Sequence, residues 1–113
     1  MTYVPLESPA AGTPLGQSTR KPIGDCRWRE RVQVEGRIRA MRVQPWEGGV
    51  ATLEVTVVDG TGGMVAIFMG RQSLAGVRLG AHVEIEGMVV ESRGQLAIMN
   101  PRYTLLPLPS VPQ

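Results

Sequence analysis

From position 31 onward apolar and polar side chains alternate one residue at a time. Val32, Val34, Gly36, Ile38 and Ala40 fall on one side, and Arg31, Gln33, Glu35, Arg37 and Arg39 on the other. A period of two is that of an extended strand with one buried and one solvated face, so this segment cannot be an amphipathic helix. Glycine in the middle of such a strand marks a sharp bend or bulge, as required where one strand serves two sheets.

The same period recurs downstream. The stretch 44–49, with Pro45, Gly48 and Gly49, is a turn-rich loop. A second strand is expected over 50–58, with Leu53, Val55 and Val57 inward and Thr52, Glu54 and Thr56 outward. Asp59-Gly60-Thr61-Gly62-Gly63 is dense in residues that accept positive φ and reads as a hairpin connection. A third strand over 64–69 is apolar on both faces. The link 71–79 predicts a short helix or a turn, closed by Gly80. Strand four covers 82–91, with Val83, Ile85 and Val89 inside. After the tight turn Ser92-Arg93-Gly94, strand five covers 95–106 with an interruption at Pro101. Five strands with the only helical candidate between the third and fourth is the order expected of an all-β, five-stranded OB-fold barrel.

The ends have a different character. Residues 1–24 contain four prolines and three glycines with no apolar period, and 107–113 contain three more prolines. Such stretches bury too little apolar area to offset the entropy of ordering them, so both are expected to be disordered tails around a domain at 25–106. The single cysteine, Cys26, excludes an internal disulfide and points to a reducing compartment. No basic segment followed by an apolar stretch opens the chain, and no run nears the roughly 18 apolar residues that span a bilayer. The expected location is the cytoplasm.

Charge is unevenly placed. Between Arg20 and Arg42 there are eight basic and three acidic residues, a net of +5, while the remainder has four basic and seven acidic, a net of −3. Eleven of the twelve basic residues are arginine, which suits bidentate contact with phosphate and stacking on bases. A GC-rich coding sequence accounts for the arginine bias equally well, so the clustering is the more informative feature.

Four segments carry a resemblance: Val-Glu-Gly-Arg-Ile at 34–38, Val-Val-Asp-Gly-Thr-Gly-Gly at 57–63, Leu-Gly-Ala-His-Val-Glu-Ile-Glu-Gly at 79–87 and Met-Asn-Pro-Arg-Tyr at 99–103. They are similar to the nucleic-acid-binding OB-fold family, in particular to the wedge domain of the RecG branched-DNA helicase and to anticodon-binding OB domains. The chain carries neither the helicase motor nor the synthetase catalytic domain of those relatives. These segments are turn glycines and core positions, so they bear on fold more directly than on ligand.

The resemblance implies that nucleic acid lies across strands two and three, flanked by the loops joining strands one to two and four to five. On this chain that surface includes Arg37, Arg39, Trp46, Thr52, Glu54, Thr56, Val65, Ile67 and Arg93. Arg37, Arg39, Trp46, Thr52, Thr56 and Arg93 are the expected contacts, helped by the basic segment 20–31. For Arg37 and Arg39 the alternative is a solvated face paired with Glu35 or Glu54. Trp46, in a Pro/Gly loop, stacks a base or folds back over the barrel mouth. Trp28, among Arg27, Arg29 and Arg31, is expected to cover the barrel bottom, with stacking on a base or on a ring of another subunit as the alternative, and Phe68 to join the core. The apolar pair Val65 and Ile67 suits a protein partner or self-association at least as well as a phosphate track.

Catalytic chemistry has little to work with. His82 is the only histidine and alternates outward with Glu84 and Glu86, and Cys26 has no histidine partner. The 59–63 turn lacks the lysine and following helix of a phosphate-binding loop. The expectation is a non-enzymatic protein without cofactor or metal, binding single-stranded or branched DNA or structured RNA. A protein-interaction or homo-oligomerising module is the alternative, and no membrane partner is implied.

Overall fold

The computed structural model describes residues 18–45 and 50–107. Among the described residues it is all-β, with seven strands: β1 (Thr19–Arg20), β2 (Arg31–Pro45), β3 (Ala51–Val58), β4 (Gly63–Met69), β5 (His82–Ser92), β6 (Gln95–Met99) and β7 (Arg102–Leu106). Five of them pair in a closed cycle, β2-β3-β4-β6-β5 and back to β2. Every pair in the cycle is antiparallel except β4 with β6, whose parallel contact is only three residues long: Val65 with Ala97, Ala66 with Ile98 and Ile67 with Met99.

Closure depends on β2 serving two partners. Arg31 to Arg37 pair with β5, and from Arg37 onward the same strand pairs with β3. The corner is at Gly36. A Cβ there would stand 2.3 Å from the Val58 carbonyl oxygen, so only glycine lets the two strands approach this closely. Just beyond, Ile38 pairs with Val57 but Ala40 with Thr56, which makes Arg39 the extra residue of a bulge. The extra residue reverses the inward–outward parity. Ala40, expected inside, is exposed, and Met41 packs on the core in its place.

The core is the interior of the ring. Val32, Val34 and Ile38 meet Leu53, Val55, Val57, Met64, Ala66, Val83, Ile85, Val89 and Ile98 there. Phe68 is buried as expected, its ring edge-on to Tyr103 with centroids 5.6 Å apart. Strand five of the sequence reading is broken where Pro101 foretold. Its first half, β6, crosses to β4, and its second half, β7, continues along β5. Asn100, with φ of 47°, makes the break, donating its N–H to the Ile67 carbonyl at 2.6 Å and accepting from the Met69 N–H at 3.0 Å. The link between β4 and β5 is two successive turns, Leu74 with Val77 and Arg78 with Ala81, rather than a helix.

The packed unit begins before residue 25. A 3-10 turn, Ile23–Asp25, inserts Ile23 into the core, and β1 lies parallel along β2. What holds this segment is the β3–β4 turn. Asp59 Oδ2 accepts from the Ile23 N–H at 2.9 Å, and the Thr61 hydroxyl accepts from the Gly24 N–H at 2.8 Å. The other carboxylate oxygen, Oδ1, accepts from the Thr61 N–H, the Thr61 hydroxyl and the Gly62 N–H. Partial burial pushes the Asp59 carboxyl up, but the bonds from Ile23, Thr61 and Gly62 outweigh it and hold the group below its ordinary value. The turn read as a hairpin is thus also the clasp for the N-terminal segment. Of the two expected tails, 1–17 and 108–113 lie outside the described residues.

Candidate nucleic-acid interface

The face built by the second half of β2 with β3 and β4 carries a shallow depression of about 130 Å³ lined by Arg42, Glu54, Val65, Ile67, Ser92, Arg93 and Gln95. Register explains how they meet. Arg42 lies opposite Glu54 across β2 and β3, and Glu54 opposite Ile67 across β3 and β4. Arg93 arrives from the β5–β6 hairpin, a two-residue turn in which Arg93 and Gly94 both have positive φ (54° and 78°). That is the connection whose twist matches the flanking strands, and it aims Arg93 back over the face.

Glu54 stands between the two cations. Its Oε1 accepts from Arg42 Nη2 at 3.2 Å, and its Oε2 is 3.4 Å from Arg93 Nη1. Two guanidiniums and one carboxylate leave a net charge of +1. Glu54 is mostly covered while both arginine side chains are more than half exposed. The carboxylate side of each pair is covered, while the outer side of each guanidinium stays open to solvent. The carboxylate meanwhile keeps both side chains parked at the groove.

The expected contacts divide. Arg93 is in the groove, and Thr56 is on the same face, half-buried opposite Val65. Arg37 is not in the groove. It stands at the ring's corner, opposite both Val58 and His82, and lines a separate open depression with Glu35, Asp59 and Gly60. Arg39 is the exposed bulge residue. Neither pairs with Glu35 or Glu54 among the described residues, because Arg20 takes Glu35 while Arg42 and Arg93 take Glu54. Thr52, expected to be accessible, is fully buried. It sits between Gln44 and Met69 near the end of the β3–β4 ladder, which the Gly70 N–H extends by bonding to the Ala51 carbonyl at 2.7 Å. Its hydroxyl has no partner among the described residues. Trp46 lies outside the described residues.

Arg42 is the residue that alternation alone misses. Counting by twos from Arg31 puts position 42 inside, whereas the bulge turns it outward. The adjacent small and apolar Ala40-Met41, breaking a strict alternation, is the trace this leaves in the sequence. The basic segment 20–31 is also less free than its charge suggests. Arg20 spans Glu35 and Glu84, at 2.8 Å from the latter, and Lys21 holds Glu30 at 2.9 Å. The bonds from Lys21 and from the Arg27 N–H keep the Glu30 carboxyl below its ordinary value. Trp28 does not cover the ring. It is 59% exposed, with the Arg29 guanidinium 4.7 Å from its ring centroid.

Among the described residues no group of three or more His, Cys, Asp or Glu side chains is arranged to hold a metal ion, and no helix is long and apolar enough to cross a membrane. No family model matches the chain, and no curated protein matches it.

Proposed function

We propose that this chain is a non-catalytic nucleic-acid-binding protein with an OB fold, taking single-stranded or branched DNA or structured RNA with little sequence preference. The closed cycle supports the fold. Numbered from β2, its strands follow the order 1-2-3-5-4 and return to 1, with the third and fifth parallel. In that architecture the face of the second and third strands, between the first–second and fourth–fifth loops, binds oligonucleotides.

The observation that carries the ligand is the convergence of Arg42 and Arg93, from two different hairpins, on one mostly covered carboxylate over this face. Phosphates recruit the two guanidiniums, and the partly exposed Val65 offers apolar contact to a base. The alternative, a protein or self-association surface through Val65 and Ile67, has less to work with, because Ile67 is only 4% exposed.

Fluorescence anisotropy with labelled single-stranded, duplex and forked oligonucleotides, at low and near-physiological salt, tests the reading. Binding should weaken with salt, and Arg42→Ala/Arg93→Ala should flatten the log–log slope by about 1.4, two phosphates at about 0.7 each on single strands. No binding by the unaltered protein even at low salt overturns it.

A further inference from the structure

We infer that Trp28 is a base-stacking platform for single-stranded nucleic acid, at the far end of one track that begins in the Arg42/Arg93 groove. The inference rests on the nucleic-acid reading above and extends it to a part of the surface outside the groove.

The first observation is how the ring is presented. Arg27, Trp28, Arg29 and Glu30 form a turn closed by the Glu30 N–H bonding to the Arg27 carbonyl at 3.2 Å. The turn is fixed rather than loose. The Arg29 N–H donates to the Val89 carbonyl and the Val89 N–H to the Glu30 carbonyl, both at 2.8 Å, while Glu30 Oε1 accepts from the Arg27 N–H at 2.8 Å. Such anchoring would let an indole pack down on the ring, yet this one stands exposed with a guanidinium against it.

A second observation is the backbone of Arg29, whose φ is 75°. Positive φ at the third position of a turn is glycine's conformation, and an arginine there is strained. Strain of this kind persists where the surrounding structure enforces it, and it clusters at functional sites. Here the side chain placed at the strained position is the one stacked on Trp28. Arg27, Arg29 and Arg31 make no ion pair among the described residues, unlike Arg20, Lys21, Arg42, Arg93 and Arg102.

The third is register. Val89, which anchors the turn, lies opposite Ile98, Ile98 opposite Ala66, and Ala66 opposite Val55, the neighbour of Glu54. The turn and the groove therefore sit at one level of the ring, about four strand spacings or roughly 19 Å apart along the surface. In the register row that joins them the exposed side chains are Met88, opposite Arg31, and Met99, opposite Ile67, with Glu91 exposed nearer the hairpin. Methionine gives a soft apolar surface against rings. Cations at both ends, thioethers between and an indole at the terminus match a polymer that alternates phosphates with flat bases.

The test compares a two-nucleotide with a twelve-nucleotide single strand, as oligothymidylate and as oligouridylate, by anisotropy at fixed salt. The short strand fills the groove, and the long one reaches the turn. Trp28→Ala should weaken the long strand about 5- to 150-fold, the effect of one lost stack, and leave the short one unchanged. Trp28→Phe should restore most of the loss. Arg29→Gly should keep or raise the melting temperature while weakening the long strand. If Arg42→Ala/Arg93→Ala weakens both strands but Trp28→Ala changes neither, the platform is refuted and the groove stands. Equal loss on both lengths refutes the track. If the unaltered protein binds neither strand, platform and groove fall together.

Discussion

The corner at Gly36 makes a prediction whose sign can be worked from geometry. A Cβ on Gly36 would lie 2.3 Å from the Val58 carbonyl oxygen and 2.9 Å from Val57 Cγ1. A carbon and a carbonyl oxygen ordinarily come no closer than about 3.3 Å, so the strands must separate by about 1 Å. Neither side can yield cheaply, because Gly36 is paired to Val83 of β5 and the next residue, Arg37, to both His82 and Val58. Overpacking costs typically 1–3 kcal/mol, and with backbone as the obstacle Gly36→Ala belongs near the upper end, about 3 kcal/mol. A unit of this size has a total stability of about 4–13 kcal/mol. At about 4–8 °C per kcal/mol, the melting temperature should fall by roughly 12–24 °C. Gly63→Ala is the control. It is the same chemical change on β4, but the nearest obstacle is Val58 Cγ1 at 3.6 Å, ordinary contact. By removing backbone freedom from the unfolded chain it should be neutral or stabilise by about 0.4–1 kcal/mol. Thermal and urea unfolding followed by circular dichroism read both. Gly36→Ala within about 0.5 kcal/mol of the unaltered protein would refute the argument that close approach at this corner closes the ring.

Three further outcomes follow from groups already described. The folded-state pKa of Asp59 is depressed, so its contribution is full above its unfolded value and is lost as pH falls through the lower folded one. Asp59→Asn should therefore lower the melting temperature at pH 7 and converge with the unaltered protein in strong acid. A pH-independent difference would refute the clasp's dependence on charge. Thr52→Val removes a buried hydroxyl that has no partner among the described residues while keeping its shape, and should be neutral or stabilise by about 1 kcal/mol. A loss above about 1 kcal/mol in urea titrations would mean the hydroxyl is bonded. Burial pushes the Cys26 thiol up, only partly countered by Lys21. Its reaction with a disulfide reagent should be slow in the native protein, quicken as pH rises, and accelerate sharply in denaturant.

The strands were readable because a half-buried strand writes its period into the chain, and Gly36, Pro101 and Asp59–Gly63 mark where the period must break. What alternation cannot carry is parity across an inserted residue. One extra residue at Arg39 moves Ala40 out and brings Arg42 onto the face where Arg37 and Arg39 were expected. Composition averaged over 24 residues likewise hides that one of them, Ile23, belongs to the core, since Asp59 and Thr61, which hold Ile23 and Gly24 in place, are far along the chain. Trp28 misled for a related reason. Large apolar rings are usually buried, and neither the positive φ of Arg29 nor the anchoring at Val89 is visible in a string of letters.

The parallel contact between β4 and β6 has a consequence in time. It joins residues 65–67 to 97–99 with three pairs, so the chain must close a long loop for a small return. That junction zips last and breathes first, and the amides that cross it between 65–67 and 97–99 should exchange with solvent before those of β3. Each opening turns the ring into a sheet with two bare edges, the form in which β proteins stick to one another. Val65 and Ile67 stand on one lip of this seam and Gln95 on the strand that forms the other. A molecule seated between them would act as a rivet, and would extend the life of the fold in the act of being bound.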